Sequence, residues 1–144
     1  MSKTSNSKHY VLKFQRVIEE LSALLGFPDP GLIIQGGKLR IGEHLASFVH
    51  DEAASPNGAF VYLDLGPAQG DQQEATWKTL LKLNFELLAG TRGVVCMHPD
   101  TEHMFYSMHY PLNELASGQH LLDTLIRAIG DLGIELYRMP PELG

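Results

Sequence analysis

WKTLLKLNFELLAGTRGVV, residues 77–95, is the stretch on which the fold turns. It belongs to a helix predicted over about Gln72 to Ala89. Trp77, Leu80, Leu81, Leu83, Phe85, Leu87 and Leu88 spread over roughly 200° of a helical wheel, and Lys78, Thr79, Lys82 and Glu86 take the remainder. An apolar arc that wide is more than one packing surface covers. One flank serves the chain's own sheet, and the other needs a second cover. A second copy of the same helix across a two-fold axis supplies one economically; the last helix of the chain is the alternative. Gly90-Thr91-Arg92-Gly93 stops the helix, and a strand is predicted over Val94–His98.

Upstream, Tyr10, Phe14, Val17, Ile18, Leu21, Leu24 and Leu25 recur at helical spacing within an arc of about 100°. They predict a first helix from Lys8 to Leu25. Gln15, Arg16, Glu19 and Glu20 take its other side, where Leu12 is an apolar exception. Residues 1–7 are polar and read as a disordered tail. Gly26-Phe27-Pro28-Asp29-Pro30-Gly31 ends the helix. Short strands are then predicted over Lys38–Glu43, His44–Glu52 and Ala59–Gly66, with turns at Gly36-Gly37 and at Ser55-Pro56-Asn57-Gly58. In the third strand Val61, Leu63 and Leu65 point one way. Phe60, Tyr62 and Asp64 point the other, and two aromatics beside a carboxylate read as a half-solvated face.

Downstream, His98-Pro99-Asp100-Thr101-Glu102 is a hairpin turn and His103–Tyr110 its second strand, closed by Pro111. Met104, Tyr106, Met108 and Tyr110 share one face and read as core; an apolar groove for an extended peptide is the other reading of this stripe. His103, Phe105, Ser107 and His109 share the opposite face. Asn113 or Ser117 caps a third helix carrying Leu121, Leu122, Leu125, Ile126, Ile129, Leu132 and Leu136, weakened locally by Gly130 and Gly133. Residues 139–144 read as a tail. The predicted order is α-β-β-β-α-β-β-α. Hairpin connections make the sheet largely antiparallel, so the class is α+β, a twisted antiparallel sheet with flanking helices.

The chain has 144 residues, which fits one domain, placed at residues 8–138. It carries 11 Lys and Arg against 17 Asp and Glu, a net charge of -6 that argues against a nucleic-acid binder and against docking on anionic membrane. The one cysteine, Cys96, excludes an intrachain disulfide and fits a reducing cytoplasm. The polar start, MSKTSNSKHY, lacks an apolar signal core, so the protein is expected to stay where it is made.

No P-loop, G-x-G-x-x-G, H-E-x-x-H or G-x-S-x-G motif occurs. His98, His103 and His109 fall on one hairpin beside Asp100 and Glu102, the residue types of a transition-metal site. His103 and His109 are six residues apart on one strand, ~20 Å at ~3.3 Å per residue, too far to share an ion. His98 and His103 flank the turn and can meet, but no third ligand is evident. Solvated strand histidines are therefore expected. A nucleophilic Cys96 would need a base, and His98 lies two residues on; a packed mid-strand thiol is the expected state. Asp51, Asp64, Asp71 and Glu74 form no recognisable acid–base pair. The residues point to no catalytic site.

Four stretches together resemble type III secretion chaperones of the Tir-chaperone (CesT-like) family. They are the amphipathic opening helix with its Gly26-Phe27-Pro28 break, YLDLG at 62–66, the quoted helix with Asn84 at its middle, and YPLNEL at 110–115. The likeness runs over residues 8–138, and the abundance of histidine, Gly130 and Gly133 depart from it. The resemblance implies a small acidic cytoplasmic homodimer, without enzyme activity, cofactor or metal. It implies a chaperone that holds the N-terminal region of a secreted effector extended, partly unfolded and soluble, by covering apolar patches and adding to exposed strands. It places Trp77, Leu80, Leu81, Asn84, Leu87 and Leu88 at the dimer interface, and Leu12, Phe14, Phe48, Phe60, Tyr62 and Phe105 at the effector. The effector's identity and any contact with the export ATPase stay open. A regulatory binding module of the same fold is the alternative, and a His/Cys-based enzyme or metal protein a more distant one.

Overall fold

The computed structural model describes residues 2–67, 78, 81, 82, 84, 85 and 93–137. Helix α1 runs Ser2–Leu24 and a short α2 runs Pro30–Ile34. Strands follow at β1 Leu39–Ile41, β2 His44–Val49, β3 Gly58–Pro67, β4 Gly93–Met97 and β5 His103–Pro111, and α3 Gly118–Tyr137 ends the order. Lys78, Leu81, Lys82, Asn84 and Phe85 are helical, within the helix expected over 72–89; its other residues, and the tail 139–144, lie outside the described residues.

Two predicted boundaries are corrected. The tail placed at residues 1–7 is helical from Ser2, because propagating a helix costs little once a packed stripe has nucleated it. The Asp29-Pro30 break starts α2 instead of a loop. Pro30 sits in its first turn, where a missing N–H costs nothing, and Ile33 is buried.

The five strands form one antiparallel sheet in the order β1-β2-β3-β5-β4. The expected hairpins pair β1 with β2, β2 with β3 and β4 with β5. The fourth pairing joins β3 to β5 from Gly58↔Pro111 to Pro67↔His103, which puts the two longest strands at the centre and the short β4 at an edge. A bulge between Asp64 and Gly66 interrupts that ladder. Gly66 stands there at φ 88, and its N–H donates to the Asp64 carboxylate at 2.8 Å.

Strand alternation divides the sheet. Leu39, Ile41, Ala46, Phe48, Ala59, Val61, Leu63, Val95, Met104, Tyr106, Met108 and Tyr110 are all buried on its inner face. Phe14, Val17, Ile18 and Leu21 of α1, Ile33 of α2, and Leu121, Leu125, Ala128 and Leu132 of α3 complete that core. The Met104–Tyr110 stripe is thus core, as its alternation implied. The helices meet closely at Gly118, where an added Cβ would stand 2.5 Å from the Glu20 Cβ and the Leu21 nitrogen. The Gly118 N–H donates to the Glu20 carboxylate at 2.9 Å, and Ser117 Oγ caps α3 by accepting the His120 N–H at 3.0 Å. Asn113, the other candidate cap, accepts the Leu115 N–H in the preceding turn. The helix runs unbroken past Gly130 and Gly133 to Tyr137.

Candidate partner-binding surface

The outer sheet face carries the remaining half of each alternation. Its rows run Val49–Phe60–His109, Ser47–Tyr62–Ser107–Val94, and Asp64–Phe105–Cys96. Phe60, Tyr62 and Phe105 are half-buried; Val49 and Val94 are each 41% exposed. The result is an aromatic patch flanked by exposed β-branched side chains, without a described helix burying it as α1 and α3 bury the inner face.

Asp64 is the one carboxylate in these rows. His103 Nδ1–H donates to its two oxygens at 3.0 and 3.1 Å. Partial burial alone would raise the Asp64 carboxyl. The Gly66 N–H, the His103 ring and the Lys38 charge outweigh it and hold the group below its ordinary value. Cys96 is exposed, yet desolvation pushes its thiol up, the opposite of an activated nucleophile.

The hairpin histidines are exposed or half-buried, and several histidines also fasten the chain. His50 Nε2–H donates to the Pro56 carbonyl at 2.8 Å, and His109 Nε2 shares a 2.9 Å hydrogen bond with Ser55 Oγ, so two imidazoles close the β2–β3 turn. Gly58 makes room for the second of them, since a Cβ there would stand 2.1 Å from the His109 ring. His44 Nδ1–H donates to the Asp64 carbonyl at 3.2 Å, and Tyr110 and His120 share a 2.7 Å bond at the start of α3. His98 accepts two backbone N–H groups in the β4–β5 turn. Among the described residues no three His, Cys, Asp or Glu side chains gather as a metal would need.

The six residues expected to face an effector separate. Phe60, Tyr62 and Phe105 share the outer face, and Leu12 is 55% exposed on α1. Phe14 and Phe48 are corrected: at 5% and 1% exposure they are core. Phe14 belongs to the same helical stripe as Val17, Ile18 and Leu21. Phe48 has the strand parity of Ala46, and that parity faces inward. Of the residues expected at a dimer interface, Trp77, Leu80, Leu87 and Leu88 lie outside the described residues. Leu81 is 70% exposed, and so is Phe85, at 82%, which the interface set omits although it stands one turn on. Asn84 turns its amide to the sheet edge. Its Oδ1 accepts the Val95 N–H and its Nδ2–H donates to the Val95 carbonyl at 2.8 Å, in place of a neighbouring strand. The opposite edge of the sheet is β1, which pairs with β2 alone among the described strands.

Two solved structures share this fold. A chain of the HopA1–SchA chaperone–effector complex superposes with a TM-score of 0.59 at 14% identity, over 81% of this chain and 87% of that one. A chain of the ExoT–SpcS complex from Pseudomonas aeruginosa superposes with a TM-score of 0.52 at 20% identity, over 83% of this chain and 96% of that one. No family model matches the sequence, and no curated protein does. Among the described residues no helix is long and apolar enough to cross a membrane.

Proposed function

We propose that this protein is a cytoplasmic, dimeric chaperone of the Tir-chaperone (CesT-like) type. It binds the N-terminal region of a type III secretion effector and keeps that region soluble and partly unfolded; it has no enzyme activity of its own. The observation that carries this reading is the outer sheet face, where Phe60, Tyr62 and Phe105 stand between exposed Val49 and Val94 while the opposite face is fully packed. Apolar side chains of an extended segment fit such a face, and its backbone needs a strand edge to satisfy its own polar groups. The edge strand β1 offers one, whereas Asn84 occupies the β4 edge at Val95. The fold shared with a chain of a chaperone–effector complex supports the same reading. Leu12 on α1 extends the contact.

The dimer interface is the 72–89 helix, with Trp77, Leu80, Leu81, Asn84, Leu87 and Leu88. Two large apolar side chains one turn apart, Leu81 and Phe85, stand exposed on the described part of that helix and favour association. The test is a pull-down of tagged protein from its native host, with limited proteolysis and mass spectrometry. A protected N-terminal segment of one larger secreted protein is expected with the wild type and is lost with a folded Phe60→Glu, Tyr62→Glu double variant. Equal recovery of that segment by the variant removes the outer face from the proposal. Recovery of folded cytoplasmic proteins alone points to a regulatory module.

A further inference from the structure

The turn between β2 and β3 holds the one Asn-Gly step of the chain, Asn57-Gly58. Asn57 is exposed and Gly58 is buried. A glycine has no Cβ to shield its backbone nitrogen, so that nitrogen lies open to the side chain of the residue before it. The Gly58 N–H is also weakly held. It donates to the Ser55 carbonyl at 3.4 Å, beyond the usual range for such a bond. Its cross-strand neighbour is Pro111, which brings no N–H of its own. The Asn57 carbonyl, by contrast, is fixed by the Leu112 N–H at 2.9 Å.

An imidazole from another strand stands on this peptide. The His109 ring of β5 covers Gly58 so closely that a Cβ there would lie 2.1 Å from Nε2 and 2.3 Å from Cε1. A side chain at 58 would displace the ring, so the glycine and the histidine go together. Ser55 Oγ shares a 2.9 Å hydrogen bond with Nε2 across 54 residues of chain, and Phe60 meets the ring edge-on at 5.4 Å between centroids. With the Ser55 hydroxyl donating, Nε2 is bare and can take a proton. We propose that Asn57 is a self-modification site, converted to aspartate and isoaspartate with His109 as the base. The Gly58 nitrogen bonds to Cγ of Asn57 and gives its proton to His109 Nε2. The Cγ–Nδ2 bond of Asn57 then breaks, and the amide nitrogen takes that proton and leaves as ammonia. Water opens the cyclic imide at either carbonyl, and nothing is oxidised or reduced. Each product puts a carboxylate in the turn beside the Val49–Phe60–His109 row. Isoaspartate also lengthens the main chain there by a carbon. No partner is needed for this chemistry.

The purified protein, incubated near neutral pH and at physiological temperature, tests this by liquid chromatography and mass spectrometry of the peptide spanning residue 57. The peptide is expected to gain the mass difference between a hydroxyl and an amino group and to separate into aspartyl and isoaspartyl isomers. Two variants remove the base. His109→Phe keeps a ring on Gly58 and against Phe60, and His109→Gln keeps a polar partner for Ser55. In whichever of them circular dichroism shows to be folded, conversion is expected to be at least about tenfold slower, since a positioned base contributes that much or more. An Asn57 that keeps its amide in the folded protein while the urea-unfolded chain converts overturns the proposal. So does a folded variant that converts as fast as the wild type.

Discussion

Asp64 shows how one residue can serve two structural roles. Its carboxylate closes the β3 bulge through Gly66 and receives His103 from the next strand. Because its folded value lies below the ordinary one, the sign of its linkage follows. The stabilisation is present above the unfolded value of about 3.9 and is lost as pH falls through the folded value. Asp64→Asn keeps an oxygen for Gly66 but removes the charge. Urea unfolding is expected to find the wild type the more stable at neutral pH, with the difference shrinking below about pH 4. A gap that stays constant across that window would assign the effect to packing. The alternation of Phe60, Tyr62 and Asp64 was legible in the sequence, since strand period alone sets it. The role of each histidine was not, because its partner is 6 residues away for His50 but 54 for His109.

At the scale of elements, the edge of the sheet is the informative feature. Val95 on β4 turns its backbone N–H and C=O away from β5, and Asn84 satisfies both. That explains a polar residue in the middle of a strongly apolar helix, and it ties that helix to the sheet independently of any partner subunit. Asn84→Ala removes both bonds while water can reach an edge, so a loss of about 1–2 kcal/mol is expected in urea unfolding. Faster amide exchange at Val95 should accompany it. An unchanged Val95 rate would mean the helix is held elsewhere. The helix periods located α1 and α3 from the sequence, and the hairpins located every strand. The short α2 escaped because Pro30 breaks a continuing helix and starts a new one with equal ease.

At the scale of the whole molecule, the two faces of the sheet differ. Among the described residues, helices α1, α2 and α3 cover one side of the sheet, and the other side carries an aromatic patch. A net charge of -6 resists nonspecific association of such a surface, which leaves room for a specific one. The exposed Leu81 and Phe85 pair belongs to this scale as well. Leu81→Glu with Phe85→Glu is expected to convert a dimer to a monomer by light scattering at micromolar concentration, with the fold retained by circular dichroism. An unchanged mass would move the interface off this helix face.

The sequence by itself determined the α+β class, the order of the five strands, the antiparallel hairpins and the two faces of β3 and β5. Each of these follows from local period and turn chemistry, which act over a few residues. Only the tertiary structure decided that β5, not β4, lies beside β3, and that the face carrying Phe48 turns inward while that carrying Phe60 does not. Alternation says that two faces exist; which of them is core depends on where α1 and α3 dock, and that is settled by contacts such as Gly118 against Glu20, 98 residues apart in the chain.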